Sequence, residues 1–208
     1  VADGSARQFC KMIHASGIEA QAERVEPITV TDPIEYTHNG TVISAFPHDG
    51  FKVTCTSSDK GGRFTQFFSV ELTPESWESE IAQARTFCFY EEIEYLIKNG
   101  LIRGGSLENA IVIRDDAVLT TEPMRYREEF VRHKILDIIG DLSLVGSPVH
   151  GHIVAVKPGH AANCALAKCI LQKARQPMVA KQSFSPPGDK PVKPVVAAAE
   201  TQSQTKTQ

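Results

Sequence analysis

Apolar and polar positions follow two periods along this chain. In "EEFVRHKILDIIGD", from Glu128 to Asp141, the residues Phe130, Val131, Ile135, Leu136, Ile138 and Ile139 recur at helical spacing. They predict a helix with one face in a core. His133, Asp137 and Asp141 stand at i, i+4 and i+8, so they form one stripe beside that apolar face. Earlier, "EPITVTD", "TVISAFP", "FKVTCTS" and "FTQFFSVEL" are short β-branched or aromatic runs separated by "HNG", "HDG" and "DKGG". These predict strands of an antiparallel meander. "LTPESWESEIAQARTF" predicts a helix with Thr73 as N-cap and Pro74 at its first position. "YEEIEYLIKNGL" predicts another, stopped at Asn99-Gly100. A Gly-Gly loop then leads to a strand from Ala110 to Ile113, "GHIVAVK" predicts a further strand, and "PGHAANCALAKCILQKA" a last helix. "DGSARQFCKMIHASG" opens the chain as a helix that Gly17 ends. Strands and helices in this order imply an α+β fold, a two-layer arrangement of sheet on helices.

Composition narrows the class. With 208 residues, 41% hydrophobic and 23% charged, the chain has the profile of a globular protein with room for one or two domains. A net charge of -3 speaks against a general nucleic-acid binder. No apolar run approaches the ~20 residues that cross a bilayer, and no secretory signal is present, so no transmembrane segment is expected. The five cysteines are scattered without a C-x-x-C, as suits reduced thiols in a cytoplasmic protein. From about Pro177 the chain turns to Pro, Lys, Gln, Ser and Thr, and a disordered tail or linker is expected over 175–208. The opening lacks a Met and already lies in a helix, so residues before Val1 are expected.

Several side chains carry candidate chemistry. A neutral imidazole and a carboxylate one turn apart, as at His133 and Asp137, suit a shared zinc ion or a plain hydrogen-bonded pair. Asp141 is placed to fix the tautomer of a histidine. His160 follows a Pro-Gly turn at a helix start, where it serves as acid or base or merely faces solvent. His150 and His152 share one side of a strand, a spacing that suits a metal or a half-exposed face. Thr86 offers a hydroxyl to a developing oxyanion or to a loop hydrogen bond. Cys88, between two phenylalanines, reads as a small buried hydrophobe.

Taken in order, "DGSA", "ARTF-F---IEYL---GL--GGS---AIV", "RYREEFVRHKILDIIGDL" and "K-GHAAN" resemble the UDP-3-O-acyl-N-acetylglucosamine deacetylases, zinc enzymes of lipid A biosynthesis in Gram-negative bacteria. The resemblance covers most of residues 3 to 170. It implies two similar α+β domains with the active site between them. Residues 1–22 would end the first domain, 23–174 would form the second, and 175–208 would be the tail. It also implies Zn2+ held by His133 and Asp137, with Asp141 orienting His160 as catalytic histidine and Thr86 supporting the oxyanion. Lys134 would contact substrate. Phe87, Ile93, Gly105, Ser106, Ala110 and Val112 would line an acyl-chain passage, which Cys88 would narrow.

The family draws a third zinc ligand and a general-base glutamate from an adjacent Glu-His pair, and no such pair occurs in these 208 residues. Weak zinc binding and no turnover by this chain alone are therefore expected. His150 or His152 would be the substitute ligand if there is one. The tail would serve as a linker where the protein is fused to a dehydratase. Two rival readings remain: a non-catalytic module that binds a sugar nucleotide or acyl chain, and a different zinc hydrolase using His133, Asp137, His150 and His152.

Overall fold

The computed structural model describes residues 2–58, 61–62, 64–101 and 106–175. Gly105 and the tail beyond 175 lie outside them. Helix α1 (Arg7–Ser16) ends at Gly17, whose φ of 78° suits glycine. The strands β1 (Ile28–Thr29), β2 (Ile34–His38), β3 (Thr41–Phe46), β4 (Phe51–Ser57) and β5 (Gln66–Glu71) follow.

These strands do not form a simple meander. The order in the main sheet is β2-β3-β9-β4-β5, so β9 (Val149–Val156) separates β3 from β4. It pairs antiparallel with β3 and parallel with β4, while β1 adds parallel rungs at its start. The local hairpins survive: β2 turns into β3 through Asn39-Gly40, both at positive φ, and β4 pairs with β5. Strand β2 itself was not foreseen, because "IEYTH" has a polar alternate face and no long apolar run.

The predicted long helix after Thr73 is also different. Thr73 and Ser76 form a reciprocal cap, but α2 spans only Pro74–Ser76. The chain then widens into a π-helical turn, Trp77–Ile81, closed by Ala82 N–H on the Trp77 carbonyl at 2.8 Å. Ile81, Ala82 and Ala84 are thereby buried. A small second sheet follows: β6 (Phe87–Phe89) pairs parallel with β7 (Ile111–Arg114), which pairs antiparallel with β8 (Ala117–Leu119). Helix α3 (Tyr90–Lys98) joins β6 to β7 and ends, as expected, at Asn99-Gly100.

The helical layer consists of α4 (Glu129–Leu142) and α5 (His160–Ala174). Val131, Ile135, Ile138 and Leu142 of α4, with Leu166 and Ile170 of α5, meet Ile43, Val53, Cys55, Ile153 and Ala155 of the sheet. This is the two-layer α+β packing that the pattern implies. Phe130 leaves that core and packs with Ile111 and Ile113 on one face of the small sheet. One helix therefore ties both sheets together, and the turn between Phe130 and Val131 sits at their junction.

Candidate functional site

His133 is 6% exposed and lies on α4 where the two cores meet. Its Nδ1 stands 3.1 Å from the Ala84 carbonyl. A carbonyl can only accept, so Nδ1 carries the proton and Nε2 is left with a bare lone pair. Burial lowers the pKa of the ring below 6.5 despite the nearby Asp137 carboxylate, which keeps the imidazole neutral near pH 7. Nε2 faces Asp137 Oδ1 at 3.4 Å. The other oxygen, Oδ2, accepts from Lys134 Nζ at 3.1 Å.

One turn further, Asp141 looks toward α5. Its Oδ2 accepts from His160 Nδ1 and from Asn163 Nδ2, each at 2.9 Å. Asp141 is 17% exposed and His160 70%, so the carboxylate is part of the wall and the imidazole projects into open space. The stripe read from the sequence thus splits into two pairs. His133 with Asp137 is local to α4, and Asp141 with His160 joins α4 to α5.

Thr86 is held at both of its backbone groups: its N–H donates to Asp3 O and its carbonyl accepts from Ile111 N–H, each at 3.0 Å. Gly4, at φ 77°, lies against it so closely that a Cβ there would sit 2.6 Å from Thr86 Cβ. Asp3 is anchored in turn by Arg125 at 2.7 Å and by Ser5, whose N–H and hydroxyl both donate to it. The "DGSA" segment therefore braces the loop that carries Thr86.

Beside these groups lies a pocket of about 200 Å³ walled by Phe64, Phe87, Phe89, Ile113 and Phe130, with Cys88 also in its lining. Lys134, Lys157, Ser57, Ser58 and Glu92 give it a polar rim. Phe87 links pocket and site: its ring packs tilted at 41° against Phe130 at 4.8 Å, meets His133 edge-on at 6.3 Å, and lies 5.3 Å beneath Lys134 Nζ. Burial raises the Cys88 thiol pKa above its usual range. Of the expected acyl-passage residues, Phe87 is on this pocket. Val112 belongs to the opposite face of the small sheet, in register with Cys88 and of the same parity as Arg114, which stacks over Tyr90 of α3. Ile93 is on α3 itself, and Ser106 and Ala110 are in the loop before β7. Gly105 lies outside the described residues.

His150 and His152 are not near this site's helical face. Along β9 the residues Val149, Gly151, Ile153 and Ala155 are the buried, inward set, and the histidines take the outer face. His152 Nε2 instead meets Thr54 Oγ1 at 2.8 Å. Gly151 between them is required because a Cβ would lie 2.9 Å from Val30 Cγ2. The expectation that either histidine replaces a ligand, and the rival hydrolase built on all four groups, therefore fail on strand parity. Among the described residues no three His, Cys, Asp or Glu side chains converge on one point.

Sequence reasoning gave no role to Lys157, Asn163, Arg85 or Glu129. Lys157 and Asn163 stand within the "K-GHAAN" block, and Lys157 adopts φ 51°, a backbone state a lysine rarely holds. Arg85 and Glu129 look like surface charges in the sequence and are buried in the structure.

A backed imidazole, a facing carboxylate, a second carboxylate–imidazole pair and an aromatic pocket define an α+β protein built around one polar site. Residues 1–172 match the model of the UDP-3-O-acyl N-acetylglycosamine deacetylase family, and the chain belongs to that family. It is similar to the UDP-3-O-acyl-N-acetylglucosamine deacetylase of Chlamydia muridarum, at 42% identity over 174 residues. It is also similar to that of Chlamydia caviae, at 45% identity over 176 residues. Each match covers 83% of this chain, and 61% and 62% of the respective relatives. The chain thus spans about three fifths of the length of the curated relatives it matches.

Proposed function

We propose that this chain carries most of the active site of a zinc-dependent enzyme that hydrolyses the acetamide of UDP-3-O-acyl-N-acetylglucosamine in lipid A synthesis. The observation that carries the metal reading is the 3.4 Å gap between His133 Nε2 and Asp137 Oδ1. Two lone pairs face each other there with no proton between them, since the ring proton is on Nδ1. A shared cation relieves that opposition. Two ligand atoms at ~2.0–2.1 Å from a tetrahedral zinc stand about 3.4 Å apart, so the donor set fits as two of its ligands. Bound there, zinc would supply a Lewis acid for the carbonyl and lower the pKa of a water.

The chain's own side chains account for the remaining work. As the imidazolium, with Nδ1–H held by Asp141, His160 carries an Nε2–H that it can give to the departing amine. Thr86 offers its hydroxyl to the oxyanion that develops on the substrate. Lys134 and Lys157, on the pocket rim, suit the diphosphate. The aromatic wall of the pocket, with Cys88 in its lining, suits an acyl chain, worth about 0.8 kcal/mol per buried CH₂.

A third zinc ligand and a general-base glutamate would come from outside these residues. The apolar side chains of α1, Phe9, Met12 and Ile13, are exposed and suit packing against a further α+β unit, with residues 1–22 as the end of that first domain and 23–174 as the second. Five free cysteines suit the cytoplasm. Calorimetric titration of the 208-residue chain with zinc, beside a deacetylation assay, tests this reading. Weak binding abolished by His133→Ala or Asp137→Ala, with no product from the chain alone, is expected. Zinc uptake indifferent to both substitutions would overturn the ligand assignment, and product release would overturn the need for outside groups.

A further inference from the structure

Glu129 is wholly buried in the first turn of α4, one turn before His133. Its carboxylate accepts N–H groups at every turn. Oε1 receives Arg85 N–H at 3.0 Å and Arg85 Nε at 2.8 Å, and Oε2 receives Arg85 Nη2 at 3.0 Å and Arg125 N–H at 2.7 Å. Burial alone would raise the carboxyl pKa; these donors reverse that and hold it below the ordinary value. Arg85 spends its other donors on Thr120 Oγ1 at 3.1 Å and the Pro123 carbonyl at 2.9 Å.

A buried ion pair of this kind often stabilises a fold no better than well-packed apolar residues of the same volume. What this pair does achieve is geometric. The residue before Arg85 is Ala84, whose carbonyl accepts the hydrogen bond from His133 Nδ1–H. The residue after it is Thr86. One carboxylate thus fixes both the helical turn that carries His133 and the backbone that orients its ring.

We propose that Arg85 and Glu129 are positioning residues for the reaction site: their pairing sets the Nδ1–H tautomer of His133, so that Nε2 faces Asp137, and holds Thr86 in place. The inference rests on the reading of His133 as a metal ligand, and its test separates the two. The guanidinium is needed because a lysine ammonium cannot span the carboxylate, Thr120 and Pro123 at once.

The experiment uses the 208-residue chain labelled with ¹⁵N, as wild type, Arg85→Lys and Glu129→Gln, with Ile170→Val as a core variant remote from residues 84–86. Two-bond ¹H–¹⁵N imidazole spectra of zinc-free protein report the His133 tautomer, and chelator competition reports zinc affinity. In Arg85→Lys and Glu129→Gln the Nδ1–H pattern gives way to mixed tautomers, and zinc affinity drops about 10–100-fold. Ile170→Val loses stability while keeping both readouts. A wild-type tautomer and unchanged affinity in the charge variants would overturn the proposal and leave the pair a purely structural role. Should those variants fail to fold, the paired replacement Arg85→Met with Glu129→Leu leaves no lone buried charge, and its spectrum decides in the same way. If wild type takes up no zinc yet the variants shift the tautomer, the positioning role stands and the metal reading falls.

Discussion

Gly4→Ala is the substitution for which the structure makes the sharpest demand. Gly4 has φ 77°, and a Cβ added there would lie 2.6 Å from Thr86 Cβ, 2.9 Å from its Cγ2 and 3.2 Å from its backbone nitrogen. Gly146 provides the comparison, since it has φ 83° with open space around its Cβ position. Left-handed backbone alone costs an alanine about 1–2 kcal/mol, and that is the whole expected effect of Gly146→Ala. At Gly4 the overlap with Thr86 adds about 1–3 kcal/mol, because two of the clashing atoms sit on a β-branched side chain and the third is backbone. The strain is released by lifting the Asp3–Ser5 segment off its seat, which breaks the 3.0 Å bond from Thr86 N–H to Asp3 O. Hydrogen exchange at the Thr86 amide reads this directly. A loss of about 2 kcal/mol in local opening raises its exchange about 30-fold. Urea unfolding of both variants supplies the global cost. If Gly4→Ala matches Gly146→Ala in urea and the Thr86 amide exchanges at the wild-type rate, "DGSA" does not brace the Thr86 loop.

Three further outcomes are expected. Burial pushes the Cys55 thiol up to about 12, so at pH 8 iodoacetamide labels the exposed Cys164 and leaves Cys55 unmodified until the protein unfolds, as mass spectrometry of the native and urea-treated chain will show. In zinc-free protein the folded His133 ring has a pKa below the unfolded value of 6.5, so the unfolded state binds the extra proton; stability present above about pH 6.5 is lost as pH falls below it, and thermal melts from pH 7.5 to 5 lose part of that slope in His133→Gln. Ile138 is fully buried between sheet and helices while Leu144 is 72% exposed, so Ile138→Ala costs about 2–5 kcal/mol in urea unfolding and Leu144→Ala stays within about 0.5 kcal/mol.

The site's local half was readable in advance. His133 and Asp137 share a helix, and residues one turn apart on a helix must lie together whatever else the chain does. The same holds for the ends of α1 and α3, where Gly17 and Asn99-Gly100 leave helical geometry for local reasons. The π-helical turn at Trp77–Ile81 escaped, because its wider hydrogen bonding answers to what packs on it and its composition is that of an ordinary helix. The charges at Arg85 and Glu129 escaped for a related reason: a residue's type says what it prefers, and its neighbours decide whether water reaches it.

The chain by itself determined the helices α1, α3, α4 and α5, the β4–β5 hairpin and the i, i+4 pair of His133 and Asp137, since each depends on contacts within a few residues. Only the tertiary structure decided that β9 enters between β3 and β4, that parity sends His150 and His152 to the outer face, and that Ala84 backs His133. Those are long-range choices. They are made by which surfaces exclude water together and by which buried polar atoms find partners, and neither is written in any single segment.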